Sequence, residues 1–117
     1  MINTQGRTFL FLFIGIYYTR YIMPVGILTI QLNLPGCKSL KQKRGRLKPL
    51  ITRLHREFNI SVSELDHLDD WDKATIACVI ISNNHQFSES YLQSVIHWIN
   101  KHWPDVTLVD EQIEIIN

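Results

Sequence analysis

Apolar and polar residues alternate from Pro24 to Leu34. Leu28, Ile30 and Leu32 fall on one face, and Val25, Ile27, Thr29, Gln31 and Asn33 on the other. A period of two predicts a strand with one buried face. Pro35-Gly36 predicts the turn that ends it. The period then changes. At 100° per residue Leu40, Leu47, Leu50, Ile51, Leu54 and Phe58 share an arc of about 100°, which predicts an amphipathic helix ending near Phe58. Ser39 and Gln42 have capping-box spacing at its start. Pro49 removes one backbone hydrogen bond and presses on the carbonyl four residues back. That residue is Gly45, which gives the backbone room, so a kink over 45–49 is expected and not a break.

Asn59 to Leu65 predicts a second strand, residues 66–72 a polar connection, and Lys73 to Asn83 a third strand. The third contains Ile76-Ala77-Cys78-Val79-Ile80-Ile81, apolar on both faces, so both faces are expected to be partly covered. After the Asn83-Asn84 turn, Ser88 is the expected N-cap of a second helix to about His102. Its apolar face is Tyr91, Leu92, Val95, Ile96 and Ile99. Pro104 stops that helix, with Trp103 packing at its end. Val106 to Glu111 forms a fourth strand, which the Ile-rich tail to Ile116 extends. The order β-α-β-β-α-β with right-handed crossovers predicts an α+β, ferredoxin-like domain over residues 23–117: a four-stranded antiparallel sheet with both helices on one face.

Residues 1–22 stand outside this pattern. The run Phe9 to Tyr18, FLFLFIGIYY, is too short for a helix that crosses a bilayer, which needs ~20 residues. It has the length of a signal-peptide core but lacks a small-x-small cleavage site. No stable membrane insertion is expected. Three readings compete for it: translation starting at Met23, a weakly membrane-associating arm, or an added strand. The abrupt onset of the pattern at Met23 favours the first.

Charge changes the picture more than composition does. The 117 residues are 45% hydrophobic and carry a net charge of +1, but residues 1–56 hold ten Lys or Arg and no acid. Residues 57–117 hold two Lys and all eleven acids, so the two parts carry +10 and −9. Such asymmetry points to a basic surface for an anionic partner, or to halves that neutralise each other on folding. Cys37 and Cys78 give neither a disulfide framework nor a metal spacing, and reduced thiols point to a cytoplasmic protein.

The densest basic run is Lys38, Lys41, Lys43, Arg44, Arg46, Lys48, Arg53 and Arg56, on the first helix or just ahead of it. Like charges three or four apart weaken a helix. Phosphate contacts would explain their retention, since each releases a counterion. Ser39 at the helix N-terminus adds free backbone donors. The expected phosphate- or RNA-binding set is therefore Lys38, Ser39, Lys41, Lys43, Arg44, Arg46 and Lys48. Lys43 falls inside the apolar arc with Arg44 beside it, and both are expected to project past the sheet edge. The competing account is a solvated helix with snorkelling Lys stems.

Asp66, His67, Asp69 and Trp71 form a second polar candidate. Carboxylates with a histidine suit acid–base or metal chemistry. Their spacing fits no metal loop, so the set reads as a hairpin connection with Trp71 as its packing anchor. Gly36-Cys37-Lys38-Ser39 lacks the remainder of a phosphate loop, which excludes an NTPase. No metal, cofactor or catalytic nucleophile is indicated. On the open sheet face the expected positions are Val25, Ile27, Ala77, Val79 and Ile81. None is aromatic, so bases would not stack there as they do on the sheets of RNA-recognition modules. RNA binding falls to the helix, and the apolar face suits a protein partner or a second copy.

The stretches Val25-Gly26, Leu32-x-x-Pro35-Gly36-x-Lys38-Ser39-Leu40-Lys41-x-Lys43-Arg44, Phe58-Asn59-x-Ser61-Val62-x-Glu64, Asp66-His67-x-Asp69-x-Trp71 and Ala74-Thr75 resemble the YlxP-like family of small bacterial proteins of unknown function. The resemblance covers nearly all of 23–117. It implies a ferredoxin-like fold and an association with translation, since genes of that family tend to lie near ribosome-maturation genes. It implies no catalytic assignment. Pro49 departs from the family pattern, and residues 1–22 have no counterpart in it. The expectation is a non-catalytic RNA- or ribosome-associated protein. The alternative is a homo-oligomeric interaction module that uses the open sheet face.

Overall fold

A computed structural model describes residues 24–66 and 69–116. The readings of residues 1–22, and of His67 and the Asp66 side chain, lie outside the described residues and side chains. The elements are β1 (Val25–Asn33), α1 (Leu40–Glu57), β2 (Ser61–Asp66), β3 (Lys73–Ile81), α2 (His85–His102) and β4 (Thr107–Ile116). The strands form one antiparallel sheet in the order β2-β3-β1-β4, so β1 and β3 are central. This is the expected ferredoxin-like α+β architecture.

Alternation fixes which face each strand buries. Leu28, Ile30 and Leu32 of β1 and Ile76 and Cys78 of β3 are almost wholly buried. They pack with Leu47, Leu50 and Leu54 of α1 and with Leu92, Val95 and Ile99 of α2. Each such side chain contributes about 1.5–3 kcal/mol relative to exposure. Gly26 shows how closely α2 approaches: a Cβ there would lie 3.0 Å from Ile80 Cγ2 and from Leu92 Cδ1, and 3.3 Å from Ile115 Cδ1. The partners of β1 are set residue by residue. Val25 lies between Ile81 and Ile116, Ile27 between Val79 and Glu114, and Thr29 between Ala77 and Gln112. The register shifts once in each edge strand. Leu65 and Val109, the extra residues at these shifts, are both about half exposed.

The connections obey local chemistry. Cys37 N–H donates to Leu34 O at 3.2 Å across Pro35-Gly36, and Gly36 has φ +78°, a value that side chains with a Cβ rarely adopt. Ser39 caps α1 by accepting from Gln42 N–H at 3.1 Å. Gln42 Oε1 reaches one residue beyond the usual box and accepts from Lys38 N–H at 2.8 Å. The helix continues through Pro49 without a break.

The second helix begins earlier than Ser88. Asn84 is its N-cap, with the side-chain oxygen accepting from Phe87 N–H at 3.0 Å. Ser88 is buried inside the helix, its hydroxyl 2.7 Å from that of Ser82. Two capping residues stand four apart here, and the earlier one prevails because Ser88 is needed against the sheet. Aromatic side chains bridge the two helices. Phe58 meets Tyr91 and Trp98 edge-on at 5.7 and 6.1 Å, and Trp98 stacks on Trp103 where α2 ends. The Tyr91 hydroxyl accepts from Asn59 N–H at 2.8 Å.

Candidate nucleic-acid interface

The structure divides the basic set into two groups. Lys43 does not project past the sheet edge as expected. Its side chain is 2% exposed, and its Nζ lies 2.8 Å from Glu64 Oε2, on a carboxylate that is 22% exposed. The wheel placed Lys43 correctly within the apolar arc. The helix instead lays it over β2, where Glu64 points to the same face of the sheet. Glu64 Oε2 is itself buried, and its partner among the described residues is that ammonium. Lys43 therefore cannot meet a phosphate without giving up its carboxylate.

Arg46 is likewise occupied. Its guanidinium donates to Pro35 O at 2.7 Å, to Asp105 O at 2.6 Å and to Asp105 Oδ2 at 3.0 Å. It ties the β1–α1 turn to the α2–β4 connection. Arg53 pairs with Glu57 at 3.3 Å and lies 5.4 Å from the Trp98 ring centroid, a cation–π contact.

The remaining cations are placed differently. Lys38, Lys41, Arg44 and Lys48 are exposed and take part in none of the ion pairs among the described residues. At 100° per residue, Lys41, Arg44 and Lys48 share an arc of about 60°, opposite Leu50 and Leu54. Lys41 and Lys48 are about 10 Å apart along the axis. Between the cations the helix surface is low: Gly45, Pro49 and Thr52 line a concave strip together with Arg44, Lys48 and Arg53. Sequence reasoning noticed Gly45 and Pro49 only as a backbone problem and did not see that they leave this strip open. Ser39 belongs to the cap, with its hydroxyl engaged by Gln42 N–H.

The β2–β3 connection lies at the same end of the sheet as the start of α1, where Leu34 N–H donates to Asp72 O at 2.8 Å. Trp71 is 54% exposed, so it does not anchor the loop as expected. Bulk alone misled here: the described residues of the connection beside Trp71, Asp69, Asp70 and Asp72, are all acidic and exposed. Asp69 is exposed. Among the described residues no group of three or more His, Cys, Asp or Glu is placed to hold a metal ion. No helix among them is long and apolar enough to cross a membrane.

The same span of chain carries a family signature. Residues 25–113 match a family model described as a protein of unknown function, DUF503. The chain belongs to the DUF503 family. It is 34% identical over 68 residues to the uncharacterized protein YlxP of Bacillus subtilis (strain 168), a match over 58% of this chain and 73% of that protein. The DUF503 match spans β1 through most of β4 and so contains both the exposed stripe of α1 and the Lys43–Glu64 pair.

On the other side of the sheet, Val25, Ile27, Ala77 and Val79 are half-buried, while Ile81 is 68% exposed. The register brings these five expected face residues together with Ile116, which is 50% exposed. The thiol of Cys78 lies on the opposite, helix-covered face, where burial pushes its pKa up from 9.0 to about 12. That cysteine stays protonated and has no nucleophilic character at neutral pH.

Proposed function

We propose that this protein binds RNA through its phosphate backbone, using Lys38 just ahead of α1 and Lys41, Arg44 and Lys48 on the exposed side of that helix, and that it acts without catalysis as a ribosome- or RNA-associated factor. The observation that carries this reading is the division of the basic residues. Two cations of the original set, Lys43 and Arg46, are engaged by Glu64 and Asp105, while Lys41, Arg44 and Lys48 share one stripe and, like Lys38 ahead of it, take part in no ion pair among the described residues. Lys41, Arg44 and Lys48 repel one another at three- and four-residue spacing, a local cost that a polyanion converts into attraction. The low strip floored by Gly45, Pro49 and Thr52 lets a backbone approach the helix closely.

The test is binding of the full chain to mixed-sequence single-stranded RNA across a salt series. Binding is expected to weaken steeply with salt. The variant carrying Lys41→Gln, Arg44→Gln and Lys48→Gln is expected to lower the slope of log K against log salt by about 2, at roughly 0.7 for each phosphate that a single strand no longer has neutralised. Absence of binding at low salt, or an unchanged slope, would overturn the reading. The open sheet face supports a second role compatible with the first, self-association, because one end of it exposes the apolar side chains of Ile81 and Ile116 beside Val25 and Ile27.

A further inference from the structure

We infer that two copies of this chain pack open face to open face about a two-fold axis parallel to the strands, so that β1 of one copy lies over β3 of the other. This rests on the self-association reading and adds its geometry.

The argument starts from the rows of the open face. Ile81, Val25 and Ile116 form the first row across the sheet. Ser61, Val79, Ile27 and Glu114 form the second, and Ser63, Ala77, Thr29 and Gln112 the third. The apolar side chains therefore fill the first row and the β1 and β3 positions of the second, with Ala77 continuing them in the third. Toward the other end the face turns polar, with Gln31 and Asp110 beside a buried Thr75, then Lys73 and Asn33. Ile81 and Ile116 are the most exposed of the set, at 68% and 50%.

A two-fold axis perpendicular to the strands would lay the apolar end over the polar end. An axis parallel to the strands keeps each row over itself. The order β2-β3-β1-β4 then does the rest, because an axis between the two central strands exchanges them. Ile27 meets Val79 of the partner, and Val25 meets Ile81 of the partner. Glu114 on β4 falls over Ser61 on the partner's β2, so the charge nearest the apolar rows meets a hydroxyl. The apolar rows supply the dry centre and the polar rows the rim.

Size agrees. Three strands ~30 Å long and the six-residue β2 of ~20 Å, ~4.8 Å apart, present about 530 Å², or about 1,060 Å² for two copies, just above the ~1,000 Å² expected of a specific interface. The dimer is thus at the weak end, and it leaves both α1 stripes on its outer surfaces, free for two RNA segments.

The experiment uses sedimentation equilibrium on the full chain over a concentration series. Wild type is expected to approach twice its monomer mass of 13.7 kDa. Ile27→Lys alone and Val79→Glu alone are expected to be monomeric, and an equimolar mixture of the two to recover the dimer through the Lys–Glu pair. Circular dichroism establishes that each variant is folded. If either is not, Val25→Glu and Ile81→Lys form the second complementary pair, on positions nearer the exposed end. A wild-type monomer at every concentration overturns self-association altogether. A monomer in which the thiol of an Ile81→Cys variant is shielded from alkylation overturns it too, assigning the face to another segment of the same chain. A dimer indifferent to Ile27→Lys and Val79→Glu places the interface elsewhere. Two monomeric variants that fail to recombine overturn the two-fold arrangement while leaving self-association standing.

Discussion

Lys43 and Glu64 meet at 2.8 Å under the first helix, with the lysine side chain almost wholly removed from solvent. Breaking such a pair leaves one charge without its partner. Lys43→Met or Glu64→Gln should each cost about 2–4 kcal/mol of stability, toward the lower end because Glu64 retains some solvent exposure. The double variant Lys43→Met, Glu64→Leu should lie within about 1 kcal/mol of wild type. Urea unfolding of the three proteins checks this. The double variant should also keep the RNA salt slope of wild type, which separates Lys43 from the exposed cations.

Gly26 stands where β1 passes closest to α2. Gly26→Ala would place a methyl 3.0 Å from Ile80 Cγ2 and Leu92 Cδ1 and 3.3 Å from Ile115 Cδ1, so these side chains would have to give way, two of them, Ile80 and Leu92, in the core. The expected loss is about 1–3 kcal/mol, by overpacking. A thermal scan showing no loss would mean that α2 rides more loosely on the sheet than these distances imply.

Pro49 lies in the interior of α1 on its exposed side. Pro49→Ala restores an N–H donor to the carbonyl of Gly45 and removes the ring from it, and should stabilise the protein by about 1–3 kcal/mol. The same change raises no bulk above the concave strip, so RNA affinity should change little. A stability unchanged by the substitution would show that the surrounding fold has already relieved the ring.

Cys78 makes stability depend on alkaline pH. Its thiol stays protonated in the fold up to about 12, while in the unfolded chain it ionises near 9.0. Between those values the unfolded state releases a proton that the folded state keeps, so this stabilising contribution, complete below about pH 9, falls by about 1.4 kcal/mol per pH unit as pH rises. Cys78→Ala should flatten that alkaline slope in denaturant titrations. In wild type at pH 8, a thiol reagent should modify Cys78 only on the timescale of unfolding.

The central strands were legible because β1 buries one face and β3 nearly two, and the spacing of their apolar residues records that directly. Leu28, Ile30 and Leu32 could be assigned to the core from β1 alone. The basic helix was legible as a helix and as a charged surface, but not in the roles of its individual cations. A helical wheel gives the direction of Lys43 and not the depth at which it ends. That depth depends on Glu64, which comes from a different strand. Arg46 is held by Asp105, 59 residues away, a pairing that no local pattern carries. Asn84 and Ser88 are equally good caps in isolation, and only the buried environment of Ser88 decides between them. Trp71 is the opposite case, where residue type suggested burial and the acidic residues Asp70 and Asp72 on either side of it are exposed with it.

The strand order has a consequence for how the chain comes into being. Of the four described strands β1 leaves the ribosome first, yet it lies at the centre of the sheet, and both of its neighbours come later, β4 last. Until Thr107–Ile116 has emerged, β1 has one unpaired edge, and the core side chains of its far flank lack cover. Local helix formation can proceed during synthesis, but closure of the sheet must wait for β4. The central strand of this design thus has no strand neighbour until β3 is made, and stays half paired until β4 follows.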